Sequence, residues 1–253
     1  MGKLTICLRH ISEVFLYEYY CLGDDEYEIS DEDTLTPHKT KAKELLLSGD
    51  YAKAQQEWLS AHLENPVDME TIFGIILCCK QLGDSEGEYS YTTESYNYCC
   101  TRAELAAYYR NLGWYYLEKY KPEVAAACYL YSKYFEDSQQ ADAELEFLEK
   151  AIGKKVADKD LDQIQKILKE NDIPTEANPV TLALLYKAAQ EADEAGDTQQ
   201  ALDCYRMVYD LTDDEEVGKI INGMPVLSTT SRMTAIKSSP IIDGNNKRKR
   251  DYP

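Results

Sequence analysis

The groups able to do chemistry are few and scattered. The three histidines, His10, His38 and His62, stand apart from plausible nucleophiles, and His62 lies between Ala61 and Leu63 in a stretch that suits a structural role. The eight cysteines are Cys7, Cys21, Cys78, Cys79, Cys99, Cys100, Cys128 and Cys204, and none forms a C-x-x-C pair. Neighbouring side chains on a helix point about 100° apart, so the adjacent pairs Cys78-Cys79 and Cys99-Cys100 are poorly placed to share one ion. They read as reduced core thiols. No glycine-rich phosphate loop, dinucleotide fingerprint or nucleophile elbow is present. The chain is therefore expected to be non-catalytic, with no cofactor and no metal. Two spacings do draw notice. Lys39 and Lys43 are one helical turn apart, and so are Arg110 and Trp114.

Composition limits the partners. With 27 basic and 46 acidic residues the formal net charge is −19, which argues against nucleic acid and anionic membrane as ligands. The N-terminal stretch is interrupted by Arg9, His10, Glu13 and Glu18, so it cannot span a bilayer. Ile11, Val14, Phe15 and Leu22 lie near one helical face with Glu18, which predicts an amphipathic helix packed on the rest of the chain. A cytoplasmic location is the expectation.

The elements that position these residues come from an internal repeat. Gly49-Asp50 recurs as Gly83-Asp84, 34 residues later, and again as Gly196-Asp197. Each follows a segment of helical periodicity, and glycine there suits a helix end with positive φ. Ala54 with Trp58 and Ala201 with Tyr205 follow two of them. The stretch YYRNLGWYYLEKYKPEVAAACYLY supplies the other half of the unit: Tyr109-x-x-Leu112-Gly113-x-x-Tyr116, then Ala125-x-x-x-Tyr129. Small Gly113 and Ala125 let two helices approach, while Tyr109, Tyr116 and Tyr129 fill the space beside them with their hydroxyls at a wet edge.

This pattern resembles the tetratricopeptide repeat, with Tyr at its Trp and Phe places, over roughly residues 35–135 and 179–212. The resemblance implies an all-α, right-handed solenoid of about four to five antiparallel helix pairs. Pairs are expected near 35–48 and 51–64, 69–82 and 85–99, 103–119 and 121–135, then 179–195 and 198–211. Between them lies a diverged pair, with one stripe of Ala143, Leu145, Leu148 and Ile152 and another of Leu161, Ile164, Ile167 and Leu168. A short cap near 213–222 would close the array. Three regions follow: residues 1–34, an amphipathic segment with an acidic linker; 35–222, the repeats; and 223–253, a polar tail read as mostly disordered, with a basic KRKR at 247–250. The acidic linker itself is read over 23–36, a stretch without Lys or Arg.

In such proteins the first helix of each pair lines the concave face. The resemblance then implies a groove of Lys39, Lys43 and Leu46, then Glu70, Phe73, Leu77 and Lys80, then Arg110, Trp114 and Leu117, and last Ala183, Tyr186, Gln190 and Asp193. A peptide-binding site of Lys39, Lys43, Phe73, Lys80, Arg110, Trp114 and Tyr186 is expected. It would suit another protein or a peptide, acidic or with a free C-terminal carboxylate. Some family members hold a chaperone's C-terminal carboxylate with Lys, Asn and Arg. Here Lys43 stands where that set has Asn, and Phe73-Gly74 replaces another Asn, which leaves generic peptide binding. The expected role is a scaffold or adaptor. A receptor for a short signalling peptide is the alternative, and an enzyme a more distant one.

Overall fold

Helix ends are set by the same few interactions throughout. At the repeated Gly-Asp sites, Gly49, Gly83 and Gly196 have φ of 77°, 73° and 79°. Each following aspartate accepts a hydrogen bond from a backbone N–H of the next helix: Lys53, Gly87 and Gln200. The glycine closes one helix and the aspartate opens the next. A computed structural model describes residues 3–156 and 159–224 of the chain, and these are mostly helical. The expected tail beyond 224, with its KRKR, lies outside the described residues.

Strand β1 (Leu4–Ile6) is followed by α1 (Ile11–Tyr20) and β2 (Tyr27–Ile29). Three hairpins come next: α2 (Leu35–Leu47) with α3 (Tyr51–Glu64), α4 (Met69–Leu82) with α5 (Ser85–Ser95), and α6 (Arg102–Glu118) with α7 (Pro122–Phe135). Then come α8 (Gln139–Ile152), α9 (Leu161–Glu170), α10 (Pro179–Glu194), α11 (Thr198–Thr212) and α12 (Glu215–Gly223). α3 packs on α4 and α5 on α6, so the three hairpins stack in chain order.

The third hairpin makes its turn without Gly-Asp. Tyr120 takes φ of 57° and is 92% exposed, and Pro122 starts α7. The Lys121 N–H donates to the Tyr116 carbonyl, as the Asp50 and Asp84 N–H groups donate to Leu45 and Cys79.

Four sequence expectations need correction. The acidic stretch 23–36 is not merely a linker. It holds β2, which pairs in parallel with β1 in the register Leu4–Tyr27, Thr5–Glu28 and Ile6–Ile29, and it ends in the first turn of α2. Three-residue strands are too short to give an alternating pattern. Second, the buried stripe of α8 is Ala141, Leu145 and Leu148, while Ala143 and Ile152 are exposed. Third, α8 and α9 each pack on α7, with no hairpin like the first three.

The fourth correction concerns the tyrosine hydroxyls. Tyr109, Tyr129 and Tyr131 are almost wholly buried. Three tyrosines hold the connection from α9 to α10: Tyr109 Oη donates to the Pro174 carbonyl (2.7 Å), Tyr131 Oη to Thr175 (2.5 Å) and Tyr96 Oη to Glu176 (2.9 Å). This clasp turns the chain back. α10 then packs against α11 and α1. Asn178 Nδ2 donates to Asn97 Oδ1, Thr181 Oγ1 to the Asn97 carbonyl, and the Ile11 N–H to Gln200 Oε1 (2.7 Å). α1 buries Ile11, Val14, Phe15, Leu16 and Tyr17 in this junction, which is why the first and last parts of the described chain share one core.

Candidate functional site

The first helices of the hairpins, α2, α4 and α6, are joined side by side through the residues singled out in the sequence. On α2, Lys39 Nζ meets Asp68 (3.0 Å) and Glu70 (2.6 Å), and Lys43 Nζ meets Glu70 (2.5 Å). Burial works against the Lys39 charge, but the hydrogen bonds to Glu70 and Asp68 outweigh it and raise its pKa. Phe73, one turn along α4, is partly buried against the main core.

On the next turns of α4 and on α6, three predicted residues come together. Lys80 Nζ donates to Asn111 Oδ1 (2.7 Å) and lies 5.7 Å from the centre of the Trp114 ring. Arg110, mostly buried, reaches Glu136 at 3.4 Å. Below Lys80 sits Glu88 of α5, with no exposed surface. Its nearer oxygen is 3.8 Å from Lys80 Nζ, and neither oxygen has a hydrogen-bond partner among the described residues. Burial pushes the Glu88 carboxyl up to about 7 against the pull of Lys80, and burial lowers the pKa of Lys80.

Beside this cluster a cleft of about 200 Å³ opens between α6 and α8. Its walls are Trp114 and Leu117 on one side and Gln140, Ala143, Glu144 and Phe147 on the other, and Tyr129 of α7 forms the floor. Phe147 is 59% exposed. Trp114 Nε1, the Tyr129 hydroxyl and Glu144 Oε2 are each buried without a hydrogen-bond partner among the described residues. Glu144 uses its other oxygen to accept from Gln140 (3.1 Å), and burial raises its pKa.

Lys39 and Lys43 thus form one group and Lys80, Arg110 and Trp114 another, with Phe73 on the helix that links them. Tyr186 does not join them: it sits on α10, edge-on to Tyr205 at 5.6 Å. Sequence reasoning missed Glu88, Tyr129 and Glu144 as polar members of the site. The one available signal was Phe147, an aromatic residue off the buried stripe of α8.

Most of the thiols are buried. Burial pushes Cys78 and Cys79 up to about 11 and Cys204 up to about 12, and it raises Cys99, Cys100 and Cys128 as well. Among the described residues no group of His, Cys, Asp and Glu could hold a metal ion, and no helix is long and apolar enough to cross a membrane. No family model matches the chain, and no curated protein sequence matches it.

Proposed function

We propose that this chain is a non-catalytic protein-binding module of the tetratricopeptide type, a scaffold or adaptor that takes a peptide of its partner on the face built by α2, α4, α6 and α8. The observation that carries this reading is the open cleft beside Trp114, an apolar recess at the end of a row of joined first helices. Peptide-binding sites of this kind are anchored by aromatic side chains in pockets.

The charges refine the partner. Lys39, Lys43, Lys80 and Arg110 each have a carboxylate close by, in Asp68, Glu70, Glu88 or Glu136. An acidic or carboxylate-ended peptide would have to displace these carboxylates, so apolar anchoring is favoured over charge as the main source of affinity. Capture from extract with mass spectrometry would nominate partners, and calorimetry with a purified partner would test the face. Trp114→Ala is expected to weaken binding about tenfold or more, equivalent to about 1.4 kcal/mol. The combined Lys39/Lys43/Lys80/Arg110→Ala variant is expected to lose less. Wild-type affinity in both variants would overturn the assignment of this face.

A further inference from the structure

We infer that His10 is a proton-operated latch at the start of α1: a proton added to its ring removes the cap of α1 and loosens the hold of α1 on α11.

The hydrogen bonds of the ring fix where that proton must go. His10 is the N-cap of α1: the Ser12 backbone N–H donates to its Nδ1 (3.2 Å), and the Ser12 hydroxyl lies 2.7 Å from the same nitrogen. A backbone N–H can only donate, so Nδ1 is the bare nitrogen and the ring hydrogen sits on Nε2. Nε2 is buried without a hydrogen-bond partner among the described residues. A second proton therefore goes to Nδ1 and turns the cap from an acceptor into a donor. The Ser12 hydroxyl can rotate to accept from it, but the Ser12 N–H cannot. Ser12 is 4% exposed, so water is a poor substitute there. The Cys204 sulfur of α11 lies near the same N–H, and a thiol is a weak acceptor.

This end of α1 is where the first part of the chain meets α11. The Ile11 N–H, next to the cap, donates to Gln200 Oε1 (2.7 Å), and Gln200 is itself held by Asp197. Ile11, Val14 and Phe15 are buried behind this bond. Fraying the first turn of α1 would release the bond and uncover Ile11.

His10 is half-buried in the wall of an open cleft of about 680 Å³ between the starts of α1 and α6 and the length of α11. Asp203, Arg206, Tyr209, Asp210 and Asp213 face the cleft from α11, and Arg102 faces it from α6. Arg102 gives its guanidinium to the Tyr134 and Phe135 carbonyls, and Arg9 gives its own to Ser30 and Glu32. Burial lowers the His10 pKa and outweighs Asp203 and Asp197, which favour the charged ring. The stability contributed by the neutral ring is therefore full above the ordinary value of 6.5 and is lost as the pH falls through the lower folded value. Glu13, which accepts from the Arg9 and His10 N–H groups, acts with the opposite sign. Burial raises its pKa, so its own titration adds stability as the pH falls.

The test uses the full-length protein. Two-bond ¹H–¹⁵N spectra report the tautomer and titration of each of the three histidines, with His10 assigned by its loss in His10→Asn. At about pH 7.5 the His10 ring is expected as the Nε2–H tautomer, titrating below the ordinary histidine value. Hydrogen exchange, corrected for the intrinsic effect of pH, is followed over the same range. Protection of amides 11–15 and of the first turn of α11 is expected to fall several-fold in step with the ring's own titration, with α2 and α3 unchanged. In His10→Asn, which keeps a capping oxygen at every pH, that protection should not change. In His10→Ala it should be low throughout.

An Nδ1–H tautomer at neutral pH, a ring that titrates without loss of protection at 11–15, or a ring that stays neutral until the whole protein unfolds would each overturn the latch. So would an equal loss in His10→Asn. If that variant fails to fold, the tautomer and the matched titration in the wild type still decide.

Discussion

Replacing Tyr96, Tyr109 and Tyr131 by Phe would remove the clasp and leave the rings. The aromatic packing should survive, since Tyr109 meets Phe135 at 5.5 Å and Tyr131 at 4.9 Å through ring atoms alone. What is lost is three hydrogen bonds to consecutive carbonyls, at 2.7, 2.5 and 2.9 Å, together with the weaker bond that Gln165 Nε2 donates to the Tyr131 hydroxyl (3.3 Å). Each is worth about 0.5–1.5 kcal/mol net, and an acceptor left dry raises the figure. Because the three bonds hold one short segment, their effects are not independent, and the triple variant should lose about 2–4 kcal/mol. That is a large part of the ~5–15 kcal/mol typical of a folded domain. Urea denaturation gives the total, and hydrogen exchange shows where it falls. Amides from 173 to the first turns of α10 should exchange faster, with those of α2 and α3 little changed below the global limit. An unchanged midpoint together with unchanged exchange over 173–182 would refute the idea that the hydroxyls hold the return of the chain.

Three further outcomes are expected. A Cβ at Gly113 would lie 2.5 Å from a ring carbon of Tyr129, so Gly113→Ala should overpack the third hairpin and cost about 1–3 kcal/mol, read as a lower denaturation midpoint. Tyr120→Gly should stabilise the protein by about 1 kcal/mol, because the tyrosine is exposed and held at φ of 57°; a lower melting temperature would show that its side chain makes a needed contact. Glu88 keeps its proton to about pH 7 in the fold but only to about 4.5 when unfolded, with Lys80, Glu118 and Lys119 as its charged neighbours. The folded state therefore binds more protons across that window, and stability falls as pH rises through it. Glu88→Gln should stabilise the protein at pH 8 and make little difference near pH 4.5, and a gain of equal size at both values would refute the assignment.

The hairpins were legible because their turns repeat a chemical signature, Gly for the left-handed residue and Asp for the cap. Where that signature was replaced by Tyr120-Lys121-Pro122, the aromatic and alanine spacing of the flanking helices still marked the unit. β1 and β2 were hidden because three residues carry no period and β2 sits in an acidic run. The return of α10 and α11 to α1 was not readable, because bonds such as Ile11 to Gln200 join residues 189 apart and leave no local trace. For the site, spacing along one helix brought out Arg110 and Trp114, and the groove register implied by the repeat resemblance brought out Lys80. Glu88 and Tyr129 lie on second helices, and their pairing with the first-helix face depends on how hairpins stack. Glu144 was missed because α8 departs from the repeat that supplied the register.

The junction of α1 with α10 and α11 also sets the order in which the protein can be completed during synthesis. α1 ends at Tyr20, whereas α10 begins at Pro179 and α11 ends at Thr212. At about 5–20 residues per second, the ribosome delivers those partners roughly 10–40 s after α1. During that interval β1 can already settle on α3, since the Cys7 N–H meets the Glu64 carbonyl. The side of α1 that will meet α10 has no lasting cover until α10 has been made. A nascent chain halted before residue 179 should therefore display a sticky helix, whereas a simple stack of hairpins would already be closed behind the growing end.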